Sequence, residues 1–245
     1  MYLLMKSTIR LNDVTMNNKI TKCLLLLSFF LYSQMSTATV VSWVDWSYID
    51  STSFSGVVDG VNVSFTGNYD DFHNKISGDP TNYWVHPSSD LDNTYTASPY
   101  VDNGPPDSDM ITMQTAGTRT ITFSQPVVNP VMSLLSVGSI TTPVQYHFIN
   151  TDFNILSVGG GTFDPSGNGD LTRLSSGILQ GIEGHGLIQF VGTYTSISWN
   201  VDVDENWHGI QIGVGSSAVP VPAAAWLFGS GLIGLIGVAR RKTRI

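Results

Sequence analysis

The sequence predicts an all-β fold for residues 39–217 of this 245-residue chain, a β-sandwich of jelly-roll type. Short stretches alternate apolar and polar residues with a period of two, as expected for strands with one buried face. Clusters of Gly, Asn, Asp, Ser and Pro separate these stretches, and helical periodicity is almost absent. Abundant Val, Thr and aromatic residues, with few Lys and Glu, point the same way.

The first alternation, 57–65, sets Asp59-Gly60 between Val57-Val58 and Val61, Val63 and Phe65, the signature of a tight hairpin. Residues 119–123 (RTITF), 144–148 (VQYHF) and 195–201 (TSISWNV) repeat the pattern, and Ile210, Ile212 and Val214 close the series. Trp199 falls in phase with Ile197 and Val201, which assigns it to the core. About six to ten strands at this spacing suit a sandwich, with a closed barrel as the alternative. No internal repeat is visible. Roughly 180 residues suffice for one domain that buries about 70% of its unfolded surface.

Charge divides the chain. Of its 11 Lys and Arg, only Lys75, Arg119 and Arg173 lie in the middle, which holds 18 of the 19 carboxylates and so carries a formal charge of −15. Such a field repels nucleic acid and anionic lipid and attracts cations, so nucleic acid is excluded as a partner. The single cysteine, Cys23, permits no intramolecular disulfide and no cysteine-type zinc site.

Residues 16–38 have the layout of a secretory signal peptide. Lys19 and Lys22 precede an apolar run from Cys23 to Tyr32, and Ser36-Thr37-Ala38 offers small residues to signal peptidase, with cleavage expected after Ala38. The Sec machinery and signal peptidase are the implied partners. The apolar core is about ten residues long, against about 20 for a stable span; a buried N-terminal helix is the alternative. Met16 makes the better start, so residues 1–15 are expected to be an over-called start.

At the other end, residues 223–239 (AAAWLFGSGLIGLIGVA) contain no charge and are followed by Arg240, Arg241, Lys242 and Arg244. With the flanking Val-Pro residues, this length crosses a bilayer at about 1.5 Å per residue. The basic residues hold the tail on the cytoplasmic side, which agrees with export of the middle. Pro220 and Pro222 keep the preceding strand extended, as a protease requires.

The run Val219, Pro220, Val221, Pro222, Ala223, Ala224, Ala225, Trp226-Leu227-Phe228-Gly229-Ser230-Gly231, then the apolar span and Arg240-Arg241-Lys242, resembles the PEP-CTERM protein-sorting domain. The resemblance covers residues 218–245 and matches the variant that begins Val-Pro-x-Pro-Ala-Ala. Val221 stands where the family's name motif has Glu, which leaves the cleaved bond open. The resemblance implies processing by an exosortase in a Gram-negative bacterium that makes extracellular polysaccharide. It implies transient retention in the inner membrane by the C-terminal helix, then delivery to the cell surface or biofilm matrix.

Three acidic loops are candidate calcium sites, since hard oxygen ligands on turn-forming chain suit that ion. The best holds Asp102, Asn103, Asp107 and Asp109. The second, from Asp164 through Ser166 and Asn168 to Gly169, imitates the start of an EF-hand loop but has Ser175 where the bidentate Glu belongs. The third holds Asp202, Asp204 and Glu205. Solvated turns explain the same residues equally.

The five histidines (His73, His86, His147, His185 and His208) form no helix-borne metal pair, and no G-x-S-x-G elbow is present. Gly184-His185-Gly186 is expected in a tight loop, and Gly159-Gly160-Gly161 in a loop without phosphate-binding character. Among the aromatics, Tyr83, Trp84 and Trp207 lie among turn residues and are the candidates for stacking on sugar rings; plugging the sandwich ends is the alternative. The expectation is a non-enzymatic surface or matrix protein with a structural or adhesive, glycan-binding β-domain and no catalytic residues. The rival is a secreted glycan hydrolase pairing Asp107 or Asp109 with Asp204 or Glu205.

Overall fold

Strands and turns, with no helix, make up the residues that the computed structural model describes: 39–50, 52–69, 82–85, 94–106, 109–164 and 167–215. The stretch 1–15, the expected signal peptide 16–38, Asp107 and the whole tail 218–245 lie outside the described residues.

The strands in chain order are β1 (Val41–Trp43), β2 (Asp45–Asp50), β3 (Ser53–Val58), β4 (Val61–Thr66), β5 (Ile111–Met113), β6 (Gly117–Val128) and β7 (Val131–Val137). They continue with β8 (Val144–Phe148), β9 (Asn154–Val158), β10 (Asp170–Ser175), β11 (Ile178–Ile182), β12 (Gly184–Gln189), β13 (Thr193–Val201) and β14 (His208–Gly215). Two antiparallel sheets result. One runs β1-β14-β7-β12-β9, with β5 also paired to β14; the other runs β10-β11-β8-β13-β6-β4-β3-β2.

One apolar cluster joins the sheets, so the fold is sandwich-like. Met132, Leu134, Ile188, Ile210 and Ile212 of the first sheet share it with Phe65, Ile121, Phe123, Tyr146 and Trp199 of the second. Trp199 is fully buried, as its phase in β13 requires, and stacks on Tyr146 with ring centroids 5.9 Å apart.

The eight-stranded sheet obeys the alternation read from the sequence. β4, β6, β8 and the second half of β13 place every other residue inward. The 57–65 hairpin forms as β3–β4, and its two turn residues have positive φ, 47° at Asp59 and 77° at Gly60, the geometry of a type I′ turn.

Among the described residues fourteen strands form, more than the six to ten expected. β7 is buried at all seven positions. Its Met132 and Leu134 face the inter-sheet core, whereas Val131 and Leu135 belong to separate clusters with Val101, Trp84, Tyr95 and Met110. Trp84, Tyr95, Val101 and Met110 thus cover the outer face of the first sheet. A strand buried on both faces has no polar phase to reveal it.

Candidate functional site

A cavity of about 390 Å³ opens where the end of β7, the β11–β12 junction and the approach to β14 meet; Ser136, Gly138, Ser139, Thr141, Thr142, Phe163, Glu183, Glu205, Asn206 and Trp207 line it. Local backbone geometry aims these side chains. Ser136 and Glu183 both have positive φ, 55° and 51°, a conformation that costs a non-glycine residue about 1–3 kcal/mol and concentrates at functional sites. A register shift between Gly184 and Gly186 accompanies them in the β12–β7 pairing. Gly184-His185-Gly186 is therefore bulged strand, a correction to the tight loop expected. The bulge, not a turn, satisfies its glycines.

Glu183 is held from two sides. The Ser136 hydroxyl donates to its Oε1, and His185 Nε2 lies 3.9 Å from that same oxygen. His185 is fully buried, and its Nδ1 faces Ser136 N at 3.3 Å and the Tyr95 hydroxyl at 2.9 Å. A backbone N–H can only donate, so Nδ1 is the acceptor and the ring is neutral with its proton on Nε2. Burial pushes the Glu183 carboxyl above its ordinary range; the Ser136 bond opposes this, and the nearby charges of Glu205 and Asp164 add to it.

Glu205 is set differently. Its side chain is 3% exposed and contacts the buried His208 in an ion-pair arrangement. The Arg119 guanidinium, itself buried and donating to the carbonyls of Gly117 and Thr115, adds compensating positive charge. Among the described residues, Arg119 thus gives Glu205 a cationic neighbour that Glu183 lacks.

Aromatic rings wall the cavity. Phe163 is 44% exposed and meets Trp207 edge to face at 4.9 Å; Tyr83 stacks on Phe163 at 5.8 Å and touches Trp207 at 6.4 Å. The loop carrying Phe163 is pinned to the covering segment by Thr162 Oγ1 to Tyr83 O (3.2 Å) and Thr94 Oγ1 to Gly160 O (2.6 Å). Close approach accounts for the glycines at 159 and 161. A Cβ on Gly161 would lie 2.3 Å from His185 Nδ1, and one on Gly159 would lie 2.6 Å from Thr94 Oγ1.

The residues singled out from the sequence are thus sorted. Tyr83 and Trp207 come together, joined by Phe163. Trp84 does not; it is 2% exposed, with its indole N–H donating to Asp109 O at 3.2 Å, so its expected place on a ligand surface is corrected to a core position. Asn103 is spent on structure. Its side-chain amide accepts from Val41 N at 2.7 Å and donates to Val41 O at 2.8 Å, closing β1 as a neighbouring strand would. Asp109 is 3% exposed and is not among the residues that line the cavity. Asp102 Oδ2 is buried without a hydrogen-bond partner among the described residues.

Asp164 caps its own loop through Gly169 N. Asp202 pairs with His147 at 2.8 Å, and Asp204 accepts from Ala116 N at 2.6 Å, so the third acidic patch disperses among separate partners. Among the described residues, no group of three or more His, Cys, Asp or Glu could hold a metal ion. Ser136, Phe163 and Glu183 were missed in the sequence because nothing local marks them; only the positive φ values and the fold bring them together.

Chemically, the arrangement offers ring faces for stacking, a rim of hydroxyls at Ser139, Thr141 and Thr142, and carboxylate acceptors in a volume that suits one or two sugar rings. Comparison of the chain with protein-family models, curated proteins and solved structures finds no match.

Proposed function

We propose that this chain is an exported surface or biofilm-matrix protein whose β-domain binds saccharide in the cavity beside Phe163 and Trp207. Its C-terminal segment acts as a PEP-CTERM-like signal, sorted and cut by an exosortase. The observation that carries the binding reading is the meeting of Tyr83, Trp207 and Phe163 against a cavity lined by hydroxyls and carboxylates. Export rests on the signal-peptide layout of 16–38, and sorting on the motif 219–224, the apolar span 223–239 and the basic residues Arg240, Arg241 and Lys242.

The jelly-roll reading rests on strand order. β5-β14-β7-β12 lies in one sheet and β6-β13-β8-β11 in the other, so the chain steps between layers as two Greek keys do. The partners are the Sec machinery, signal peptidase, exosortase and an extracellular polysaccharide. Structural calcium near Asp102 remains part of the proposal, with Asp102 Oδ2 and Asp109 Oδ1 as buried oxygens lacking a protein hydrogen-bond partner among the described residues.

The test is binding of the full chain, in detergent, to an oligosaccharide panel by calorimetry. Trp207→Ala should weaken binding about tenfold or more, in line with ~1–2 kcal/mol for a lost aromatic platform. Saccharide affinity that survives Trp207→Ala unchanged sinks the site.

One observation favours a second reading. Glu183 and Glu205 line the same cavity, and Glu183 has a raised pKa, the pairing of acid and base that glycan hydrolysis uses. It differs from the pairing of Asp107 or Asp109 with Asp204 or Glu205 in that both of its carboxylates line one cavity. Release of reducing ends that stops in Glu183→Gln would establish hydrolysis; binding without product would leave the non-enzymatic reading.

A further inference from the structure

Resting on that saccharide reading, we infer that the ligand of this cavity is an amino sugar whose protonated amine pairs with Glu183. The starting point is an imbalance of charge around one carboxylate. Among the described residues, the charged groups that bear on Glu183 are Glu205 and Asp164, both acidic. His185 behind it is held neutral by the Ser136 N–H and cannot supply a cation. Of the two described arginines of the domain, Arg119 is turned to the Thr115 and Gly117 carbonyls beside Glu205, and Arg173 is paired with Asp152 at 2.6 Å. Glu183 is nevertheless fixed in place, by its positive φ and by the Ser136 hydroxyl, with its side chain 21% exposed at the cavity.

A carboxylate held at a cavity wall among like charges gains most from a cationic ligand. An anionic sugar such as a uronate meets repulsion from Glu183, Glu205 and the −15 charge of the domain. A neutral sugar leaves the imbalance standing. The aromatic wall adds to the preference, because the faces of Trp207 and Phe163 attract positive charge as well as the apolar face of a sugar ring. A hexosamine offers both on one ring. Its equatorial amine projects from the edge of the apolar C–H face, so stacking on Trp207 and pairing with Glu183 occur together, while Ser139, Thr141 and Thr142 remain for its hydroxyls.

The experiment measures binding of the full chain, in detergent at pH 6 and low salt, to five probes. These are β-1,4-linked glucosamine tetramer, its fully N-acetylated counterpart, cellotetraose, a tetra-uronate and penta-lysine. The expected result is at least about tenfold tighter binding of the glucosamine tetramer than of the acetylated or neutral tetramers, with that advantage shrinking as salt is added and no binding of the uronate. Glu183→Gln should abolish the advantage while leaving weak binding of the neutral tetramers; the probe comparison on the unaltered chain stands even if that variant folds poorly. Equal or tighter binding of the acetylated or neutral tetramers overturns the amine inference and leaves the saccharide reading intact. Penta-lysine binding as tightly as glucosamine tetramer overturns it in favour of a basic peptide. No binding of any saccharide overturns both.

Discussion

Replacing Asp109 by Asn should stabilise the protein at neutral pH and do nothing in acid. Asp109 sits 3% exposed ahead of β5, accepts from Trp46 N, and has Oδ1 without a hydrogen-bond partner among the described residues. Burial, and then the neighbouring Asp45 carboxylate, raise its pKa from the ordinary 3.8 to about 6. Each pKa unit is worth about 1.4 kcal/mol, so ionisation in the fold costs up to about 3 kcal/mol, and solvent screening brings this to about 1–3 kcal/mol. Because the folded-state pKa is the higher one, no cost exists below pH 3.8, where both states keep the proton. Stability then falls as pH rises toward 6 and stays reduced above it.

An amide keeps the bond from Trp46 N and can donate toward Asp45. Urea unfolding followed by tryptophan fluorescence should show Asp109→Asn more stable than the unaltered chain by about 1–3 kcal/mol at pH ~7.5, with the gain vanishing at pH ~3.5. An equal gain at both pH values would refute the ionisation argument. A loss at neutral pH that appears only with calcium present would show Asp109 to be a metal ligand instead, as the composition of its loop allows.

Three further outcomes are expected. Asn103→Ala removes both side-chain bonds to Val41 and should cost about 1–3 kcal/mol in the same unfolding assay, identically with calcium or a chelator; dependence on the chelator would revive a ligand role for Asn103. Trp199→Ala empties the stack formed with Phe65, Tyr146 and Phe148 and should cost about 3–5 kcal/mol, lowering Tm by roughly 6–20 °C; a shift under about 3 °C would mean that the inter-sheet core is packed otherwise. Mass spectrometry of exported protein should find a C-terminus near Pro220 to Ala224, and an intact Arg240-Arg241-Lys242 tail on surface material would contradict sorting by cleavage.

The sequence alone determined five strands of the sheet with one wet face, and β14 of the other sheet through Ile210, Ile212 and Val214. β3, β4, β6, β8 and β13 all belong to the eight-stranded sheet, where alternation is the direct imprint of one dry and one wet face, and Asp59-Gly60 encodes its own turn. It also carried the acidic charge of the domain and, in Tyr83 and Trp207, two of the three rings of the aromatic wall. Only the tertiary structure decided the rest. β7 and β12 were hidden because Trp84, Tyr95, Val101 and Met110 bury their second face, and that same burial took Trp84 out of any ligand's reach. Ser136, Phe163 and Glu183 lie 20 or more residues apart and share a cavity only because β7 and β12 pair and a bulge turns Glu183 inward. Periodicity records what lies across one strand from solvent; a site assembled from several strand ends leaves no such record.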